Sequence, residues 1–437
     1  MAVVKAVTCP VCGCLCDDIE LTIENGKIVK LKKGCAMCKS KFLGHNSEHR
    51  ILRPLIRKNG NLVKASFEQA VKKAAQILAK ANYPIMYGWS STSCEAIRVG
   101  IELAEEVGGV IDNTSTVCHG PSILGIQDVG ISSCTLGQVR HRADLVIYWG
   151  SNPVVAHPRH MRRYTAFSKG RFQKGKRKLI VVDVRKTETA ETADYFIQVK
   201  PNKDYEILQV LRALIQDQEI DVDEVAGVPV ERLEKIADIM IECSFGALFF
   251  GLGLTMSKGK LRNVDAALSL VRDLNMRTKF VIMPMMGHFN VNGADTVFTW
   301  QTGYPYAVDF SLGYPRYNPG EASAIDILLR RESDAALIVA SDPVANFPKK
   351  AAEHLVKDPL IVIDPLMSAT AQMADVVFPS AFVGIEASGT AYRMDHVPLP
   401  LKKVVNPPNG ILTDEEILKK ILTEVKKFKE KRRVEVA

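Results

Sequence analysis

Two stretches of this chain repeat each other, and the repetition restricts the fold more than any other feature. Asp144-Leu-Val-Ile-Tyr-Trp-Gly-Ser-Asn-Pro153 resembles Asp334-Ala-Ala-Leu-Ile-Val-Ala-Ser-Asp-Pro343, each an apolar strand ending in a small-polar-Pro turn. Downstream, residues 182–194 align without gaps on 363–375. Five of the thirteen positions are identical: Asp183/Asp364, Thr189/Thr370, Ala190/Ala371, Ala193/Ala374 and Asp194/Asp375. Two such stretches in the same order predict two related halves, each presenting a strand-end crevice. Asp183 and Asp364 then end strands where a carboxylate can accept hydrogen bonds from a ribose or a base. A purely structural turn in a duplicated sheet is the competing explanation.

The rest of the chain agrees with an α/β class. Short apolar runs at 84–89, 144–149, 178–184, 246–251, 279–284, 335–340, 360–364 and 375–379 alternate with helical patterns at 66–80, 95–106, 204–216 and 264–274. Strands that are apolar on both faces, separated by helices, predict parallel sheets covered on both sides. Ligands of such sheets bind outside the carboxyl ends of the strands. Ser66 and Gln69 predict a capping box, and Glu24-Asn-Gly26 a hairpin turn. No apolar stretch approaches the roughly 18–20 residues of a membrane span, the longest run (245–256) being broken by three glycines. No signal-peptide core precedes the first cysteine, so a cytoplasmic location is expected. The net charge of +8 suits an anionic ligand without requiring nucleic acid, for which no signature is present. Nine Lys/Arg lie within 159–178, and a second basic run occupies 419–433, read as a solvated helix face.

Cysteine carries the chemistry. Six of ten fall in the first 38 positions: Cys9, Cys12, Cys14, Cys16, Cys35 and Cys38. Without a secretory signal such crowding points to metal ligation rather than disulfides. Cys9, Cys12 and Cys16 can present three sulfurs from one loop, with the fourth from Cys35 or Cys38 across the hairpin. Spacing leaves zinc and a 4Fe–4S cluster both open, and the three-then-one arrangement tilts toward iron–sulfur. A second site is Asn113-Thr-Ser-Thr-Val-Cys118-His119-Gly-Pro121, a loop thiol beside an imidazole, fit for a nucleophile or a soft-metal ligand. Cys94, Cys134 and Cys243 are read as small buried hydrophobes.

Taken together, the cysteine cluster, the thiol at 118, the Trp149-Gly-Ser-Asn-Pro153 turn, the duplicated Asp pattern and Glu386-Ala-Ser-Gly389-Thr390 resemble the molybdopterin oxidoreductases, which hold two pterin guanine dinucleotides around one molybdenum or tungsten. Cys16-Asp-Asp-Ile19, Met86-Tyr-Gly-Trp89, Val117-Cys-His-Gly-Pro121, His157-Pro-Arg-His-Met161 and Gly389-Thr-Ala-Tyr-Arg-Met394 are similar to the B-subunit group of the formylmethanofuran dehydrogenases within them, over essentially the whole chain. The resemblance implies a catalytic subunit reducing carbon dioxide to formate, which a partner amidohydrolase subunit condenses with methanofuran. It implies Cys118 as the protein thiolate on the metal beside an inorganic sulfide. His119 and His288 would stand near substrate, and Cys9, Cys12, Cys16 and Cys35 would hold the 4Fe–4S cluster. Cys38 falls where glycine is more usual. Trp149, Gly150, Asn152, Asp183 and Arg185 would contact one dinucleotide, and Ser341, Asp342, Asp364, Gly389 and Thr390 belong to the other half's set.

The same resemblance implies an iron–sulfur domain at 1–57, a discontinuous α/β domain at 58–140 with 325–437, and a second α/β domain at 141–324. No C-terminal β-barrel follows, so a small separate subunit is expected to cap the pterins, and a polyferredoxin or similar iron–sulfur carrier to supply electrons. One departure stands out. Met286 occupies the place of an arginine that would hold formate bidentately. A non-redox scaffold of a formyltransferase/hydrolase complex is the competing function, and a free-formate dehydrogenase a third.

Overall fold

A computed structural model describes residues 1–173 and 175–436; Lys174, within the first basic run, lies outside them, as does the side chain of Arg433 in the second. Its principal strands are β1 (Ala2–Val7), β2 (Ile19–Glu24), β3 (Lys27–Lys32), β4 (Pro84–Gly88), β5 (Val110–Asn113), β6 (Leu145–Trp149), β7 (Lys178–Asp183), β8 (Tyr195–Gln198), β9 (Gly246–Phe250), β10 (Phe280–Pro284), β11 (Ala335–Val339), β12 (Leu360–Ile363) and β13 (Val376–Phe378). The chain divides into two compact units. The larger comprises Met1–Val117, His288–Arg393 and the residues from Pro398 on; the smaller comprises Cys118–Gly287 with Met394–Val397.

The smaller unit is built on a five-stranded parallel sheet in the order β8-β7-β6-β9-β10. In the larger unit the five parallel strands run β13-β12-β11-β4-β5. These orders are the same sheet twice, since the repeat already equates β6 with β11 and β7 with β12. Chain order differs: β4 and β5 precede their sheet mates in the larger unit, whereas β9 and β10 follow theirs in the smaller one. The duplication is therefore circularly permuted. A pair of aspartates just before the repeated strands makes the equivalence atomic. Asp144 accepts the N–H groups of Ser244 and Phe245, which lead into β9, and Asp334 accepts those of Asn82 and Tyr83, which lead into β4.

Short antiparallel strands finish the larger sheet. Leu55–Lys58 and Asn61–Lys64 flank β13, while Val308–Asp309 and Arg316–Tyr317 flank β5. The unit boundaries fall at 117/118 and 287/288, where 140/141 and 324/325 were expected, and residues 1–57 are counted with the larger unit. Packing explains the difference. The helix Gly120–Val129 lies against Leu261–Leu274 so closely that a Cβ on Gly125 would come within 2.8 Å of Val264. The helix Val291–Thr302 packs on Cys94–Val107, and Val308–Asp309 pairs with β5. Starting each domain at its first repeated strand overlooks both attachments.

The amino-terminal segment forms the sheet β1-β2-β3, whose hairpin turns through Asn25 and Gly26 at φ 48° and 74°, and one helix, Ala36–Leu43. The capping box of Ser66 and Gln69 starts the helix Phe67–Lys80. Ser66→Ala is expected to cost about 1 kcal/mol, read as a lower Tm. The basic tail belongs to the helix Asp414–Val436. One face of that helix (Ile417, Leu418, Ile421, Leu422, Val425) enters the core of the larger unit. Among the described residues no helix is long and apolar enough to cross a membrane.

Candidate active site

The thiols gather beneath a tight loop. Cys9 N–H bonds Cys16 O at 2.9 Å and Leu15 N–H bonds Cys12 O at 3.0 Å, folding 9–16 back on itself. Cys9, Cys14, Cys16 and Cys38 are buried. A hydrogen bond with Cys38, then burial, then the neighbouring Cys16 and Cys12 hold the Cys9 thiol well above its ordinary pKa. A hydrogen bond from Cys14 lowers that of Cys12. Cys35 Sγ accepts Cys38 N–H at 3.5 Å and caps the helix Ala36–Leu43. The structure thus brings Cys38, which stands where glycine is more usual, against Cys9. Among the described residues no three His, Cys, Asp or Glu side chains converge as on a single ion. Thiols crowded on one loop suit a metal group, which deprotonates those it binds.

One turn beyond Cys38 on the same helix lies Lys41, a residue to which no sequence motif points. Burial lowers its pKa, while Asp364, Cys9 and Asp414 counter that, and its ammonium stands 5.3 Å from the Phe382 ring centroid. His288 is bridged through its backbone to Cys12. Burial first, and the Lys41 charge second, keep its imidazole neutral.

In the smaller unit β6 has β7 on one side and β9 on the other, which is the topological switch point where open α/β sheets bind ligands. Gly150, at φ +54°, lies where a Cβ would meet Gly253 Cα at 2.7 Å, so two strand-end loops close on each other through glycine. Trp149 donates its indole N–H to Asp204 at 2.9 Å. Asn152 Oδ1 accepts from Thr189 Oγ1 at 2.7 Å and from Thr189 N–H, while Asn152 Nδ2 donates to Glu188. Asp183 accepts Val184 N–H and is raised in pKa by burial; Arg185 is exposed.

The larger unit repeats this brace at its own switch point between β4 and β11. Asp342 accepts Thr370 Oγ1 at 2.6 Å and the N–H groups of Thr370 and Ala369; Ser341, just before it, is half-buried. Asp364 accepts Leu366 N–H, and burial pushes its pKa up to about 7. Glu95 occupies both donors of Thr390, and a Cβ on Gly389 would strike Ser93. Asn152 and Asp342 therefore serve as braces, whereas Asp183 accepts the backbone N–H groups of Val184 and Arg185 and Asp364 that of Leu366. Arg50 Nε and Nη1, Trp89 Nε1, Asn292 Oδ1 and Glu386 Oε1 are buried in this unit without partners among the described residues.

Cys118 closes the helical turn Ser115–Cys118, not an irregular loop. It is half-buried, and its carbonyl accepts Thr255 Oγ1 at 3.0 Å. His119 is buried, with Nδ1 3.4 Å from Ser122 Oγ, and Pro121 starts the next helix. Met286 is buried and its carbonyl accepts His157 Nε2 at 2.8 Å. Of the three cysteines expected to be buried hydrophobes, Cys94 is buried while Cys134 and Cys243 are half-buried, and burial raises their thiols to about 12, 11 and 12.

A family model described as molybdopterin oxidoreductase matches residues 50–424. The chain is 51% identical to the B-subunit of the tungsten-containing formylmethanofuran dehydrogenase 2 of Methanocaldococcus jannaschii, over 98% of this chain and 99% of that one. It is 48% identical to the protein of the same name from Methanococcus maripaludis, over 98% of this chain and 100% of that one. It belongs to the molybdopterin oxidoreductase family and, within it, to the B-subunit group of the formylmethanofuran dehydrogenases. Solved structures that share the fold include the following two. Acetylene hydratase from Pelobacter acetylenicus has a TM-score of 0.74 at 15% identity, covering 97% of this chain and 69% of that one. The formyltransferase/hydrolase complex from Methylorubrum extorquens, with methylofuran, has 0.68 at 22%, covering 83% and 97%.

Proposed function

We propose that the chain is the catalytic subunit that reduces carbon dioxide to formate (CO2 + 2e− + H+ → HCOO−) at a tungsten or molybdenum bis-pterin guanine dinucleotide centre. Formate then passes to an amidohydrolase-type subunit for condensation with methanofuran. The observation that carries this reading is full-length identity of 51% to a formylmethanofuran dehydrogenase subunit, joined to the presence of Cys9, Cys12, Cys16, Cys35 and Cys118. When bound, the metal–pterin group supplies two-electron exchange at carbon, and the 4Fe–4S cluster supplies the electrons.

The chain's own residues hold and tune these groups. Cys118 binds the metal as a thiolate, together with an inorganic sulfide. Cys9, Cys12, Cys16 and Cys35 hold the cluster, and the Cys38 thiol lies beside Cys9 within hydrogen-bond reach. Cys35→Ser is expected to lose iron and Cys38→Ser to keep it, read by iron content per chain. His119, with Nδ1 toward Ser122, supplies the imidazole that holds the proton formate takes up. Trp149, Gly150, Asn152, Asp183 and Arg185 line one dinucleotide site, and Ser341, Asp342, Asp364, Gly389 and Thr390 the other. His288 stands beside the cluster loop. Within the complex, a small β-barrel subunit would cap the pterins and a polyferredoxin-type carrier would feed the cluster.

The scaffold reading has one observation in its favour, the apolar Met286 where a formate-binding arginine is expected. Formate production from carbon dioxide by the anaerobically purified complex, driven by a reduced low-potential dye, separates the two. Formate at rates proportional to protein supports the catalytic role; none, from complex with full metal content, rejects it.

A further inference from the structure

Every polar side chain between the end of β5 and Cys118 is gripped from behind. Asn113 Oδ1 accepts Ser115 N–H at 2.8 Å and so caps the turn that carries Cys118. Its Nδ2 donates to Asp295 Oδ1 and to Pro305 O, both at 3.1 Å. Ser115 Oγ donates to the same Asp295 oxygen at 2.7 Å. Thr114 Oγ1 donates to Ser90 Oγ at 2.5 Å. Thr116 bonds Asp112, whose carboxylate also accepts the N–H groups of Asn113, Ala307 and Ala324 at 2.9, 3.0 and 2.7 Å. Asp112 thus has three backbone donors that fix the fold around it. The Asp295 carboxyl is different: its donors are the side chains of Asn113 and Ser115, and both bonds end on one oxygen.

Burial opposes the Asp295 charge and pushes its pKa up to about 7. Residues kept where stability disfavours them concentrate where function needs a fixed geometry.

We propose that Asp295 is a positioning residue for the reactive-thiol turn: its Oδ1 fixes Asn113 and Ser115, and through that cap the direction in which the turn delivers Cys118. The inference rests on Cys118 being the reactive thiol. It concerns the acceptor oxygen and not the charge, so asparagine can do the same work and leucine cannot.

Asp295→Leu and Asp295→Asn in the whole complex test it. The leucine variant is expected to lose about tenfold or more in kcat with KM unchanged, as small misplacements of reacting groups do. In complex stripped of metal, its Cys118 should react several-fold faster with iodoacetamide, read by peptide mass spectrometry. The asparagine variant should match the parent in both. The asparagine variant also carries a pH signature. An aspartate that titrates near 4 when unfolded and near 7 when folded favours the fold fully below about pH 4, and loses that contribution as pH rises through 7. Asp295→Asn should therefore raise Tm at pH 8 relative to the parent, and much less at pH 5. Parental kcat and alkylation in the leucine variant would overturn the proposal, as would an asparagine variant as impaired as leucine. If the leucine variant does not fold, Ser115→Ala removes one bond from the other end, and an unchanged alkylation rate there overturns it. Alkylation needs no metal, so failure of the proposed reaction would instead show as parental complex that makes no formate while the alkylation pattern holds.

Discussion

Cys118→Ser is expected to abolish carbon dioxide reduction, by about a thousandfold or more, as removal of one member of a catalytic unit does. A serine hydroxyl is not ionised near neutrality and is a poor ligand for a soft metal, whereas a thiolate is a good one. The turn itself should survive the change. Its cap is Asn113, its braces are Asp112 and Asp295, and Cys118 contributes its carbonyl to Thr255 whichever side chain it bears. Iron content and the reduced-cluster electron paramagnetic resonance signal should be unchanged, because the thiols proposed to hold the cluster come from residues 9–38. Parental turnover in this variant would remove Cys118 from the metal.

The largest effect on stability should come from Glu386→Ala. Glu386 Oε2 lies 2.6 Å from Arg50 Nη2, with the two side chains 1% and 3% exposed. The same oxygen accepts Phe382 N–H, Arg50 also donates to Ser380 O, and its guanidinium lies 4.5 Å from the Phe382 ring centroid. Truncating the carboxylate leaves a buried guanidinium unpaired, which costs about 3–5 kcal/mol. For a unit of this size that is a Tm lower by on the order of 10 °C. Removing both charges is different. Arg50→Met with Glu386→Leu should recover most of the loss, because no lone charge is then buried. Calorimetry of the single and double variants reads the coupling directly, and equal losses in both would show that packing, not the ion pair, sets the effect.

What can be read from the chain follows the physics of each element. The eight strands expected from apolar runs are strands in the structure, most ends agreeing within a residue, because central strands of a parallel sheet are apolar on both faces. The two-residue strands Val308–Asp309 and Arg316–Tyr317 carry too few residues for any period, so no pattern announces them. The duplication is legible, but its circular permutation is not, since chain order hides which strand lies beside which. The five identities acquire separate meanings only in three dimensions. Thr189 and Thr370 hold Asn152 and Asp342, and Asp194 and Asp375 cap the N–H groups of Leu179 and Leu360. Those residues are structural, and Asp183 and Asp364 are the identical pair proposed to take part in binding. Lys41 stands three residues after Cys38 on one helix face, a spacing that becomes informative only once that helix is known to pack on the thiols. Asp295 escapes sequence reasoning because nothing near position 295 points to residue 115.

A working metal–pterin centre fed by an iron–sulfur cluster is what would separate a catalytic subunit from a scaffold. Inductively coupled plasma mass spectrometry of the anaerobically purified native complex, for tungsten, molybdenum, iron and zinc, tests it most directly. The predicted result is close to one tungsten or molybdenum per chain, with about four iron attributable to the amino-terminal thiols. Zinc on those thiols, with neither tungsten nor molybdenum present, would contradict it and leave the chain a scaffold.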